Sequence, residues 1–410
     1  MKILVSLVLL AAVCVSAEPP WVDISTVATN PALSAQWRDF TDFIADTDPA
    51  PDGYLYIKLW DGTGIPWQGD PGQSSGGSLN VYRVPANTDP SLMPVSWEYV
   101  LKIPANDQAG ERLATVKRGN AFIMDNFGNM ASAPGTGGHG TGWDWSCFSY
   151  FKTNSAGTPI LTGPVPAYPA NYHPGNTWPF ANMQICGFMS FTSPWDFVGI
   201  YCNGGSDNNN MEARSVSGTS YTRLVNVNND GIAKPFSRGV VYNNNAYFWK
   251  GPSSSTTEDG IWCVSNVVGT VDLTNNFVNA FNLIPVSTMD AAGDTWDSGG
   301  SDPVGIVAVK PAENYLNKDL LVVSFRASGH LYAFDLENPT SGPIAMFGST
   351  NLWPTGQNEY RAQLGKVGSY LFMMDGETDA DRTLRRVNLI PEPCGILAVA
   401  GILLWIGRRK

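Results

Sequence analysis

DLLVVSFRASGHLYAFDLEN, residues 319–338, reads as two short strands and the turns that bound them. Leu320–Phe325 is an apolar, β-branched run, Ser328-Gly329 breaks it, and Leu331–Phe334 resumes it before Asp335–Asn338 turns the chain again. Outward from this stretch, along residues 50–389, the same unit recurs with weak self-similarity: a polar turn, an apolar strand, a polar loop, a second alternating strand. AFIMDN (from Ala121) goes with DWSCFSYFK (from Asp144), AYFWKG (from Ala246) with DGIWCVSN (from Asp259), and YLFMMDG (from Tyr370) with DRTLRRVN (from Asp381). DGYLYIKLW (Asp52–Trp60) goes with GGSLNVYRV (Gly76–Val84). MQICGFMSF (Met183–Phe191) and WDFVGIYCN (Trp195–Asn203) form a hairpin that SYTRLVNV (Ser220–Val227) extends.

Units of about 57 residues are in the range of propeller blades. One unit cannot cover both faces of its sheet, whereas radial stacking against neighbours can. GHLYAFDLEN (Gly329–Asn338) in particular resembles a blade segment in which a strand ends at an Asp turn. The expectation is an all-β chain, a β-propeller of six or seven blades, with a β-sandwich pair or a β-helix as the alternative. Composition agrees: 42 Gly, 29 Pro and 11% aromatics supply turns and strands, and apolar residues at helical spacing are scarce. One exception is LSAQWRDFTDFIAD, where Leu33, Trp37, Phe40 and Ile44 predict a short amphipathic helix over 33–46. The expected divisions are a signal peptide (1–17), an N-terminal extension (18–50), the β-repeat domain (51–389) and a tail (390–410).

Both ends carry signals. Lys2, the apolar run Ile3–Val15 and the small residues up to Ala17 have the three-part layout of a secretory signal helix cut by signal peptidase after Ala17. At the other end stand Pro391, Glu392 and Pro393, then Cys394, then an apolar run from Gly395 to Gly407, then Arg408, Arg409 and Lys410. The run is shorter than the roughly 20 residues of a stable membrane helix, and the basic cluster favours the cytoplasmic side. Such a hydrophobic helix pauses in a membrane with the body outside.

Pro391-Glu392-Pro393, the short apolar stretch and the basic tail resemble, in that order, the PEP-CTERM sorting signal. The resemblance covers the C-terminal tail only. It implies recognition by an exosortase-type membrane protease, with delivery to the cell surface or the extracellular matrix, often in bacteria that make exopolysaccharide. Cys394 directly after the motif departs from the pattern.

The net charge is −11, and without Lys2, Arg408–Lys410 and Glu392 the body keeps 21 basic and 35 acidic residues. A surface of that sign repels phosphate backbones, so nucleic acid is excluded as a partner. Of the cysteines outside the signals (Cys147, Cys186, Cys202, Cys263), none forms a CxxC pair. In an oxidising compartment the hairpin around Pro194 pairs Cys186 with Cys202, two buried free thiols being the alternative.

No catalytic motif is present. His139 in the glycine-rich loop before Asp144, His173 and His330 come without a GxSxG elbow or an HExxH helix. Trp143, Trp145, Trp178, Trp195, Trp249, Trp262 and Trp296 fall at loops and strand ends, where aromatic faces stack on sugar rings or simply pack in the core. Asp375, Glu377, Asp379 and Asp381 alternate in one turn, and Asp290, Asp294, Asp297 and Asp302 form a second acidic group. No cofactor is expected; calcium is the metal such turns admit, although neither is an EF-hand loop. The expected function is an exported surface or matrix protein serving binding or structure, with exopolysaccharide as a partner. A secreted carbohydrate-active hydrolase or lyase on the same scaffold is the alternative, and it needs two carboxylates facing each other across a pocket.

Overall fold

The computed structural model describes residues 22–26, 42–47, 50–60, 78–104, 115–118, 121–127, 146–153, 159–164, 183–188, 196–201, 208–215, 221–228, 239–250, 260–265, 280–285, 287–288, 303–325, 331–347, 363–375 and 383–390. These form an all-β body. After β1 (Val22–Thr26) come six antiparallel meanders. The first is β2 (Asp42–Asp46), β3 (Tyr54–Trp60), β4 (Ser78–Pro85) and β5 (Glu98–Pro104); the second is β6 (Thr115–Arg118), β7 (Ala121–Phe127), β8 (Ser146–Thr153) and β9 (Pro159–Pro164). The third is β10 (Met183–Phe188), β11 (Asp196–Tyr201), β12 (Asn208–Ser215) and β13 (Tyr221–Asn228); the fourth is β14 (Val240–Tyr242), β15 (Asn245–Lys250), β16 (Gly260–Val264) and β17 (Ala280–Pro285). The fifth is β18 (Pro303–Val309), β19 (Leu320–Phe325), β20 (Leu331–Asp335) and β21 (Ala345–Phe347). The sixth has β22 (Gln363–Val367), β23 (Tyr370–Asp375) and β24 (Thr383–Asn388), and β1 takes its fourth place, Val22 lying opposite Arg386.

The first two meanders merge into one eight-stranded sheet, because β2 and β6 pair in parallel with Asp46 opposite Lys117. The first strands also touch in sequence, β6 to β10, β10 to β14, β14 to β18, β18 to β22, and β22 returns to β2. The six meanders therefore close on themselves.

The opening stretch shows why. In β19, Leu320 and Val322 pack with Leu371, Met373 and Val387 of the sixth meander. Their neighbours Leu321 and Val323 pack with Tyr247, Ile261 and Cys263 of the fourth. Successive side chains of a strand leave on opposite faces, so an unbroken apolar run serves a sheet covered on both sides. The sixth meander repeats this, with Phe372 and Met374 turned to Phe43, Leu55 and Trp97 of the first. The four residues Leu320–Val323 are fully buried, and each contributes about 1.5–3 kcal/mol. Where first strands meet, small residues are required. A Cβ on Gly365 of β22 would lie 2.7 Å from the Phe43 ring of β2. The Asp turn read in GHLYAFDLEN is formed: Asp335 accepts from the Glu337 N–H at 3.0 Å through its carboxylate and from the Asn338 N–H through its carbonyl.

The helix expected over 33–46 is corrected at its C-terminal end. Asp42–Asp46 is strand β2, with antiparallel pairing to β3 on one edge and parallel pairing to β6 on the other. Phe43 and Ile44 are both buried, which one helical face led by Ile44 does not provide. Two filled ladder edges outweigh a local periodicity read over fourteen residues. Residues 33–41 lie outside the described residues, as do residues 1–17 and 395–407, where a signal helix and a hydrophobic helix are expected.

Candidate functional site

Among the described residues, charged side chains converge where the first meander meets the second. Asp46 ends β2, Lys117 sits beside it in β6, and Asp52 lies in the turn before β3. That turn is locally determined. Asp52 accepts from the Tyr54 N–H at 3.1 Å across Gly53, whose φ of +81° suits glycine. The Lys117 ammonium is 2.8 Å from Asp46 and 3.0 Å from Asp52, and its side chain and that of Asp46 are 4% and 5% exposed. Lys117 also lies 4.7 Å from the centre of the Tyr56 ring, and its carbonyl accepts from both the N–H and the hydroxyl of Thr47.

From there the network runs outward along the first meander. The Tyr56 hydroxyl donates to Asp52 at 2.7 Å, and the Arg83 guanidinium donates to the same hydroxyl at 3.4 Å. Arg83 also donates to Glu98 at 2.9 Å and stacks 4.4 Å over the Tyr54 ring. Burial would raise the Asp52 carboxyl. The hydrogen bonds from Tyr56, Lys117 and the Tyr54 N–H outweigh it and hold the group below the ordinary carboxylate range. Burial raises the Tyr56 phenol well above its usual value; Arg83 works against this, and the Asp52 carboxylate adds to it.

The geometry, with these directions, bears on what the cluster does. A general acid for glycoside cleavage needs a raised carboxyl and a free partner across a gap. Here Asp52 is held ionised, Tyr56 stays a neutral donor, and Asp46 and Asp52 share one ammonium. The arrangement is an ion-paired clamp between two meanders.

Sequence reasoning missed these residues. Asp46 and Lys117 are 71 positions apart in the chain, and no local pattern marks them as partners. The visible signal was the Asp52-Gly53 turn, read as the start of a strand.

The expected site residues are placed as follows. Cys186 falls at the register shift of β10, between Ile185 and Gly187, and Cys202 lies outside the described residues. Ala17, Pro391, Glu392, Pro393, Arg408, Arg409 and Lys410 lie outside them too, with His139, Asp144, His173, His330, Trp143, Trp145, Trp178, Trp195, Trp296, Asp290, Asp294, Asp297, Asp302, Glu377, Asp379 and Asp381. Trp249 stands opposite Ile261, Trp262 opposite Phe248, and Asp375 ends β23. Among the described residues no group of three His, Cys, Asp or Glu is arranged to hold a metal, and no helix is long and apolar enough to cross a membrane.

No family model and no curated protein matches the chain. Among solved structures it is similar to Trypanosoma rangeli sialidase, with 12% identity, a TM-score of 0.45, and coverage of 92% of this chain and 57% of that one. It is also similar to an α-L-arabinofuranosidase of Fusarium graminearum, with 10% identity, a TM-score of 0.45, and coverage of 86% and 97%. A nidogen/laminin complex matches at 10% identity and a TM-score of 0.36, over 74% and 79%. The chain thus spans less than two thirds of the length of the sialidase.

Proposed function

We propose that the protein is exported, sorted by its PEP-CTERM-type tail to the cell surface or matrix, and built as a six-bladed β-propeller whose work is binding, with exopolysaccharide as the ligand. The sorting reading rests on the order Pro391-Glu392-Pro393, apolar Gly395–Gly407 and basic Arg408–Lys410. The blade reading rests on the cyclic contact of β2, β6, β10, β14, β18 and β22, and on β1 completing the last sheet.

The observation that carries the binding reading is strand direction. With first strands running the same way, as β2 and β6 do, second strands end and third strands begin at one end of the ring. Fourth strands end there as well. The chain segments that join those strand ends are where the sequence puts Trp143, Trp145, Trp178 and Trp296 and both acidic groups. Aromatic faces with carboxylates beside them suit neutral sugar rings and their hydroxyls.

The test is affinity electrophoresis of the full chain through gels containing the host's exopolysaccharide. The expected result is retardation, lost in a Trp143→Ala/Trp145→Ala/Trp178→Ala variant that melts at the same temperature as the parent. Unretarded migration contradicts the binding reading. Release of new reducing ends during the same incubation moves the assignment to the carbohydrate-active hydrolase or lyase.

A further inference from the structure

Among the described residues, the exposed large apolar side chains share one topological position. Leu92 and Val95 lie on the connection from β4 to β5, and Tyr99 is the second residue of β5. Phe281 is the second residue of β17, Ile344 immediately precedes β21, and Ile390 follows β24. All six stand where a third strand gives way to a fourth. By strand direction that is the end of the ring opposite the one proposed for ligand.

The same end is where the chain leaves the body. Leu389 is fully buried, its N–H donates to the Ser369 carbonyl, and its carbonyl accepts from the Tyr315 N–H of the fifth meander. On the other side, Arg386 donates to the carbonyls of Ala86 and Thr88 at 2.8 and 2.7 Å, fastening the β4–β5 connection beside the exit. The fifth, sixth and first meanders are thus joined around the point from which Ile390 departs. Five residues later the apolar run begins at Gly395, so extended chain separates it from Leu389 by at most about 20 Å.

A body held that close to a bilayer by a membrane-inserted tail must present this end to it. We propose that this end of the ring is a lipid-docking surface, with Leu92, Val95, Ile344 and Ile390 seated in the interfacial region of the bilayer. The proposal rests on the reading of Gly395–Gly407 as membrane-inserted. Exposed apolar residues grouped in one region mark an interaction surface, and Tyr99 suits the headgroup level. Asp89 is exposed and Glu98 half-exposed beside the apolar pair, so the contact is apolar rather than an attraction to anionic headgroups.

The experiment uses the full chain in phosphatidylcholine vesicles carrying a photoactivatable lipid, with adducts mapped by mass spectrometry. Adducts are expected on the 395–407 peptide, on the peptides holding Leu92–Val95 and Ile344, and not at Asp375 or Thr383, which stand at the opposite end where β23 gives way to β24. High salt should leave them unchanged. A Leu92→Ser/Val95→Ser variant, altered only at exposed positions, should lose the first-meander adducts and keep those of the tail. Tail adducts without body adducts overturn the docking surface while leaving the tail reading intact. Adducts on neither overturn both.

Discussion

Lys117 shows how one buried charge ties two parts of the chain. Its ammonium is satisfied by Asp46 and Asp52 together, and removing one partner of a buried pair costs about 3–5 kcal/mol because the other is left uncompensated. Lys117→Met should therefore lower the urea midpoint by an amount in that range, measured by fluorescence. Asp52 should be felt in acid. Its folded carboxyl is depressed, so its contribution is fully present above the unfolded carboxylate value and disappears as pH falls through the lower folded one. Asp52→Asn should accordingly be less stable near neutrality and lose less on acidification, which urea titrations at a series of pH values will show. Cys263 gives the opposite case. It is a free thiol, buried, with its pKa pushed up to about 12 by desolvation, and a thiol rather than a thiolate does not react. It should resist iodoacetamide in the native protein and react on unfolding, which peptide mapping will score.

Strands were legible in proportion to how fully each is enclosed. Second and third strands, such as β3 with β4, β15 with β16 and β19 with β20, announce themselves as apolar or alternating runs because both faces meet neighbours. The first and fourth strands are shorter or less apolar. β6 reads Thr-Val-Lys-Arg and β22 carries Gly365, so no local pattern marks them; β12, a third strand that reads Asn-Asn-Asn-Met-Glu-Ala-Arg-Ser, is as poorly marked. β2 was even read as helix, since its partner β6 lies about 70 residues downstream in the chain and no window contains both. Inner strands also carry a tight packing constraint. Gly365→Ala should cost about 1–3 kcal/mol through overpacking, because its methyl meets the Phe43 ring. Phe43→Leu in the same chain should return part of that loss, and a double-mutant cycle on unfolding free energies measures the coupling.

At the scale of the whole molecule, a recurring β unit was readable because each unit must cover its neighbours, and the pairing of the chain's two ends was not. The residues that close the ring, Val22–Thr26, stand in what reads as an extension, yet they pair with β24 at the far end of the chain. The charged cluster of Asp46, Asp52 and Lys117 was not legible, and the residues proposed for binding were legible as chemistry only. Tryptophans and acids could be named, but which strands their segments connect is shown by pairing, not by any local pattern. Pairing β1 with β24 also sets Val22 opposite Arg386. In the sequence, Ala17 lies five residues before Val22 and Pro391 lies three after Asn388. The two proposed cuts therefore fall outside both strands of that pair. The most direct measurement is the intact mass of the native protein in its host, taken on membrane and extracellular fractions. The expected mature species lacks both Met1–Ala17 and the residues beyond the Pro391–Pro393 region, and is found outside the membrane. A membrane-bound species that keeps Gly395–Lys410 would contradict sorting by the tail and leave a C-terminally anchored protein.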